Sequence, residues 1–89
     1  MKLNSDYRLR RLAGDWMLIY EGLEVVDFSS MYVLNETSAW MWEQCQGKDF
    51  TEEDMVAWLL SEYDVDKETA AADVASIVER WRSAGMIKD

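Results

Sequence analysis

Asp27–Thr51 reads DFSSMYVLNETSAWMWEQCQGKDFT, and it changes character once, at Asn35. Phe28 to Leu34 is rich in aromatic and β-branched residues and holds no Pro or Gly, which suits an extended segment. Asn35 follows directly. Its side-chain oxygen can accept a bond from an otherwise orphan N–H of a first helical turn, so it is a favoured N-cap. The segment after it predicts a helix from about Glu36 to Gln46. Gly47 stands where a helix end needs a residue that tolerates the left-handed conformation. A strand that passes straight into a helix sets a strand edge beside a helix-lined groove, and this edge and groove are the expected working surface.

Working outward toward the N-terminus, Tyr7–Leu12 alternates with period two, with Tyr7 and Leu9 on one face and Arg8 and Arg10 on the other. Trp16–Tyr20 is a short apolar run of strand length. Ala13-Gly14-Asp15 between them predicts a hairpin turn. Glu21–Glu24 predicts a second turn, after which Val25–Leu34 returns as the third strand, with a bulge expected at Ser29-Ser30. Met1–Asp6 is polar and is expected to fray.

Toward the C-terminus, Thr51 caps a second helix with Glu52, Glu53 and Asp54 in its positive first turn. Met55, Trp58, Leu59 and Glu62 follow helical spacing, with Val56 and Leu60 widening the stripe and the helix ending near Tyr63. Asp66 caps a third helix whose apolar stripe is Ala70, Val74, Ile77, Val78 and Trp81, flanked by Asp73, Ser76, Arg80 and Ser83. Gly85 stops it, and Met86-Ile87 tucks back as an extended tail. Strands first and helices after predict an α+β fold. The inventory is that of a winged helix-turn-helix-like domain: a three-stranded antiparallel sheet followed by three helices, in a single domain over residues 1–89.

Composition narrows the function. The formal charge is −9, from 9 basic and 18 acidic residues, a field that repels duplex DNA and anionic membranes. The chain has no secretory signal pattern and no apolar run near the roughly 20 residues a bilayer span needs, so a cytoplasmic location is expected. It contains no His and one cysteine, Cys45. The commonest general base is therefore absent, and a thiol nucleophile has no imidazole partner. Cys45 falls on the inner side of the first helix and reads as a small buried hydrophobe. Asp64, Asp66 and Glu68 imitate the start of a calcium loop, but Thr69 stands where Gly is required and Ala75 where a bidentate Glu is required. No catalytic residues, metal ligands or cofactors are expected. The five Trp, four Tyr and two Phe read mainly as core filling for a small domain.

Leu34-Asn35-Glu36-Thr37-Ser38-Ala39-Trp40-Met41-Trp42-Glu43, with Gly47, the acidic start Thr51-Glu52-Glu53-Asp54, Asp73-Val74 and Gly85-Met86-Ile87, resembles the PqqD family, named for pyrroloquinoline quinone (PQQ) synthesis protein D. Glu36 departs from the Pro that family commonly carries after Leu-Asn, which bears on the peptide bound. The resemblance implies a non-catalytic recognition element. Such an element binds the leader of a ribosomally synthesised precursor peptide and presents it to a modifying enzyme, often a radical S-adenosylmethionine enzyme. Strand addition fits the residues: main-chain bonds along the third strand supply affinity, and pockets for alternate side chains supply specificity. The expected contacts are Ser29, Met31, Tyr32 and Val33 on the strand and Asp73, Ile77 and Arg80 on the third helix. An open edge can also pair with a second copy, giving a homodimer. The competing readings are a winged-helix DNA-binding regulator and a scaffold subunit that binds only protein. The first is opposed by Glu68, Asp73 and Glu79 beside Arg80 and Arg82 on the third helix. The second would draw on exposed Trp.

Overall fold

The computed structural model describes residues 1–21 and 27–88, the stretch 27–30 by its backbone alone. The turn expected at Glu21–Glu24 and the first two residues of the expected third strand fall largely outside that set. In chain order the elements are β1 (Lys2–Leu3), β2 (Tyr7–Leu12), β3 (Asp15–Tyr20), β4 (Asp27–Leu34), α1 (Glu36–Cys45), α2 (Glu52–Glu62), α3 (Lys67–Ser83) and β5 (Ile87–Lys88). The main sheet is antiparallel in the order β2-β3-β4, and the three helices follow it. This is the α+β, winged helix-turn-helix arrangement expected from the sequence.

The register assigns the faces. Leu9, Leu18 and Tyr32 align across the three strands, as do Arg10, Met17 and Val33. The first row faces the helices, where Leu18 is fully buried and the Tyr7 ring meets those of Tyr20 and Tyr32 at centroid distances of 5.3 and 6.3 Å. The second row lies on the outer face, where Arg10 reaches Glu21 at 3.2 Å. The hairpin joining β2 to β3 turns on Ala13 and Gly14, both at positive φ (52° and 85°), as a two-residue turn matched to strand twist requires. Between β3 and β4 the register slips: Ile19 pairs with Met31 while the next residue, Tyr20, pairs with Asp27. The excess residues on β4 are 28–30, the site of the expected bulge.

Each helix starts on the residue whose chemistry marked it. Asn35 Oδ1 accepts from Ser38 N at 2.8 Å. Thr51 and Asp54 form a reciprocal capping box at 3.1 and 3.0 Å, and Asp66 Oδ1 accepts from Thr69 N at 2.7 Å. α3 ends in a Schellman motif, with Met86 N donating to Trp81 O at 2.8 Å and Gly85 N to Arg82 O at 3.2 Å. Gly85 takes the positive φ of 77° that this motif needs. The core gathers Met41, Trp42 and Cys45 of α1, Met55 and Leu59 of α2, and the whole predicted stripe of α3. Trp42 meets Trp81 edge to face at 5.2 Å. Truncating either buried indole would cost about 3–5 kcal/mol. On α2 the buried stripe is narrower than expected: Leu60 is 37 % exposed and Glu62 faces solvent.

The N-terminal residues do not fray. β1 pairs with β5, Lys2 opposite Lys88 and Leu3 opposite Ile87. The ammonium group of Met1 reaches Asp49 Oδ1 at 3.1 Å and Phe50 O at 2.8 Å. Asn4 donates its backbone N–H to Met86 O at 2.7 Å and its side-chain amide to Gly85 O at 3.0 Å. The polar arm is held because the tail after α3 offers it an edge and because its own polar groups find fixed partners.

Candidate functional site: an open strand edge beside the last helix

Among the described residues β4 pairs with β3 alone, so one side of its backbone carries unpaired N–H and C=O groups. α3 lies across a gap from that side. The gap is a groove of about 720 Å³ lined by Tyr32, Val33, Leu34, Glu79, Trp81 and Met86 among others. It continues past the end of β4 into a smaller pocket of about 200 Å³, lined by Asn35, Thr37, Ser38, Asp73, Ser76, Ile77 and Arg80. Asn35, Ser38 and Arg80 line both spaces and mark their junction.

The local fold explains this layout. Asn35 ends the strand and caps α1 within one residue, so the strand edge and the start of a helix are contiguous. The Schellman turn then sends Met86 back under the groove, where it is 2 % exposed. Tyr7 donates its hydroxyl to Ala84 O at 3.1 Å, tying β2 to the end of α3. The groove floor therefore rests on side chains from both layers.

The expected contact residues separate into groups. Tyr32 and Val33 line the larger groove and are 39 % and 65 % exposed, so neither is ordinary core. Asp73 and Ile77 line the smaller pocket, and Arg80 lines both. Asp73 and Arg80 are exposed, whereas Ile77 is only 4 % exposed and serves the core first. Met31 is half-buried and lines neither space. The side chain of Ser29 lies outside the described residues. Sequence reasoning missed Leu34, Ser38, Glu79, Trp81 and Met86. In the sequence Trp81 reads as core and Met86 as tail; Trp81 reaches the groove wall from α3 itself, and the Schellman turn brings Met86 beside it. Ser38 could have been suspected from its place in the first turn of α1.

Cys45 is fully buried, and burial pushes its thiol up to about 12, which leaves it protonated and unreactive at neutral pH. No Trp is exposed. Trp42 and Trp81 are buried and Trp16, Trp40 and Trp58 half-buried. No helix among the described residues is long and apolar enough to cross a membrane.

The fold and site together define a winged helix-turn-helix-like domain whose edge strand, unpaired on one side among the described residues, lies open beside its last helix. The sequence matches the family described as Coenzyme PQQ synthesis protein D (PqqD) over residues 16–87, and the chain belongs to that family. No curated protein sequence matches it. Two solved structures share the fold. One is described as lasso peptide synthetase B1 complexed with the leader peptide, with a TM-score of 0.72 and 20 % identity over 99 % of this chain and 96 % of that one. The other is TbiB1 in complex with the TbiA(beta) leader peptide, with a TM-score of 0.72 and 17 % identity over all of both chains.

Proposed function

We propose that this protein is a non-catalytic recognition element that binds the leader of a ribosomally synthesised precursor peptide as a strand added to β4. It then presents the rest of that peptide to a modifying enzyme. The observation that carries this reading is the edge of β4, unpaired among the described residues, facing α3 across a groove of about 720 Å³. Main-chain bonds to a sheet edge give affinity with little demand on sequence, and the groove selects alternate side chains. Membership of the PqqD family, and the leader peptides bound by the two proteins of like fold, support the same reading. The contacts are Tyr32 and Val33 on the strand and Asp73, Ile77 and Arg80 on the helix, with Ser29 and Met31 on the segment of β4 that would pair. The enzyme served is a radical S-adenosylmethionine enzyme or another peptide-modifying enzyme, and the handover takes place in the cytoplasm, where the precursor is made.

The test is titration of the precursor peptide encoded beside this gene into the isotopically labelled protein. Amide shifts are expected to change along residues 31–34 and 76–84. Saturating peptide that leaves those amides unmoved would overturn the proposal.

A further inference from the structure

We propose that the peptide seated on β4 carries one carboxylate side chain, and that this carboxylate docks in the small pocket between Arg80 and the first turn of α1. The inference rests on the peptide-binding reading and adds the chemistry of one position to it.

The pocket is built from donors. Asn35 uses its side-chain oxygen to accept from Ser38 N, which leaves its amide NH₂ as a donor facing two cavities. Ser38 is 6 % exposed as a residue, and its hydroxyl, with no hydrogen-bond partner among the described residues, is not sealed in the core as Trp42 Nε1 is but opens on the pocket that Ser38 lines. Thr37 adds a second hydroxyl to the lining. Arg80 donates Nε to Ser76 O at 3.4 Å and forms no ion pair among the described residues, so its terminal nitrogens remain to hold a carboxylate side-on. The partial positive charge at the start of the ten-residue α1 adds to theirs. The volume of about 200 Å³ suits the head of one side chain and excludes a second strand.

Three acids surround the pocket and fix how much negative charge it takes. Asp73 lines its far end, seven residues before Arg80 and so roughly 10 Å along α3. Glu79 lines the larger groove, and Glu36 is the exposed first residue of α1. Solvated charges separated by about a Debye length are largely screened, whereas a direct guanidinium–carboxylate contact is not. The contact wins for one carboxylate, and the acids disfavour a run of them. The selected residue is therefore a single Asp or Glu among neutral or basic neighbours.

The experiment selects binders to the native protein from a displayed library of randomised peptides and keeps those that move the β4 amides in NMR spectra. The expected result is one Asp or Glu enriched at a fixed position. R80Q should then weaken a selected peptide by roughly tenfold or more, as loss of a charged hydrogen bond does. The peptide's own Glu→Gln change should cause a similar loss that does not add to that of R80Q. D73N should tighten binding. Peptides that pair with β4 without acidic enrichment, or with Lys or Arg enriched there, would overturn the carboxylate assignment and leave peptide binding standing. A library that yields no peptide moving the β4 amides would overturn peptide binding itself.

Discussion

Cys45 and Asp66 show how position sets the chemistry of a single side chain. Cys45 packs among Met41, Trp42 and Phe50 in the core, and its raised pKa follows first from desolvation. The native protein is expected to resist alkylation by iodoacetamide at about pH 8, below the raised value, and to react fully once unfolded in guanidinium. Mass spectrometry with and without denaturant reads the difference, and rapid native labelling would contradict the burial. Asp66 is held below the ordinary carboxylate range, chiefly by the Thr69 backbone N–H and then by the Thr69 side chain. A carboxylate whose folded-state pKa is lowered stabilises the fold above its unfolded value and loses that contribution as pH falls through the folded one. Asn at this position keeps the cap but not the charge. Wild type is therefore expected to melt above D66N at neutral pH, with the gap closing as pH falls below the ordinary carboxylate range. A gap that stays constant in a series of melts would mean that the charge contributes nothing. Caps of this kind were legible in the sequence because their partners lie three residues away, at Ser38, Asp54 and Thr69. The opening of the Ser38 hydroxyl onto a pocket was not legible, because the other wall of that pocket is α3, which comes much later in the chain.

β4 is the element on which the proposed function turns. Its aromatic and β-branched composition identified it as a strand. Its pairing could not be read in the same way, since sheet order is set by which neighbours close the core. Val33 is the clearest probe, because it is 65 % exposed on the outer face. A charged residue there should change folding stability by no more than about 0.5 kcal/mol while weakening strand addition, since charged side chains on an edge oppose pairing. V33E is therefore expected to keep the wild-type melting temperature and to lose affinity for the precursor leader. A matching fall in both would instead mean that Val33 supports the fold. The same edge offers a route to self-pairing, although at −9 two copies repel each other across the approach.

At the scale of the whole molecule, the sequence disclosed the order of strands and helices but not how the chain is closed. The N-terminal arm was the main misreading. Two residues of strand leave no periodic signal, and the partner of Lys2-Leu3 lies at Ile87-Lys88, the far end of the chain. Asn4 reinforces that closure, donating to Gly85 O and accepting from Asp6 N at 3.0 Å. The arm thus braces the turn that carries Met86 into the groove floor.

The β1–β5 pair has a topological corollary. Antiparallel partners sit about 5 Å apart between Cα atoms, so Lys2 and Lys88 can be spliced by a short Gly-Ser bridge and the backbone reopened elsewhere. A circular permutant cut at the exposed Gly47–Lys48 turn between α1 and α2 should give the parent's circular dichroism spectrum, with the new ends on the far side of α1 from its capped start. Loss of that spectrum would mean that the order of threading, and not only the final packing, is needed to reach this fold.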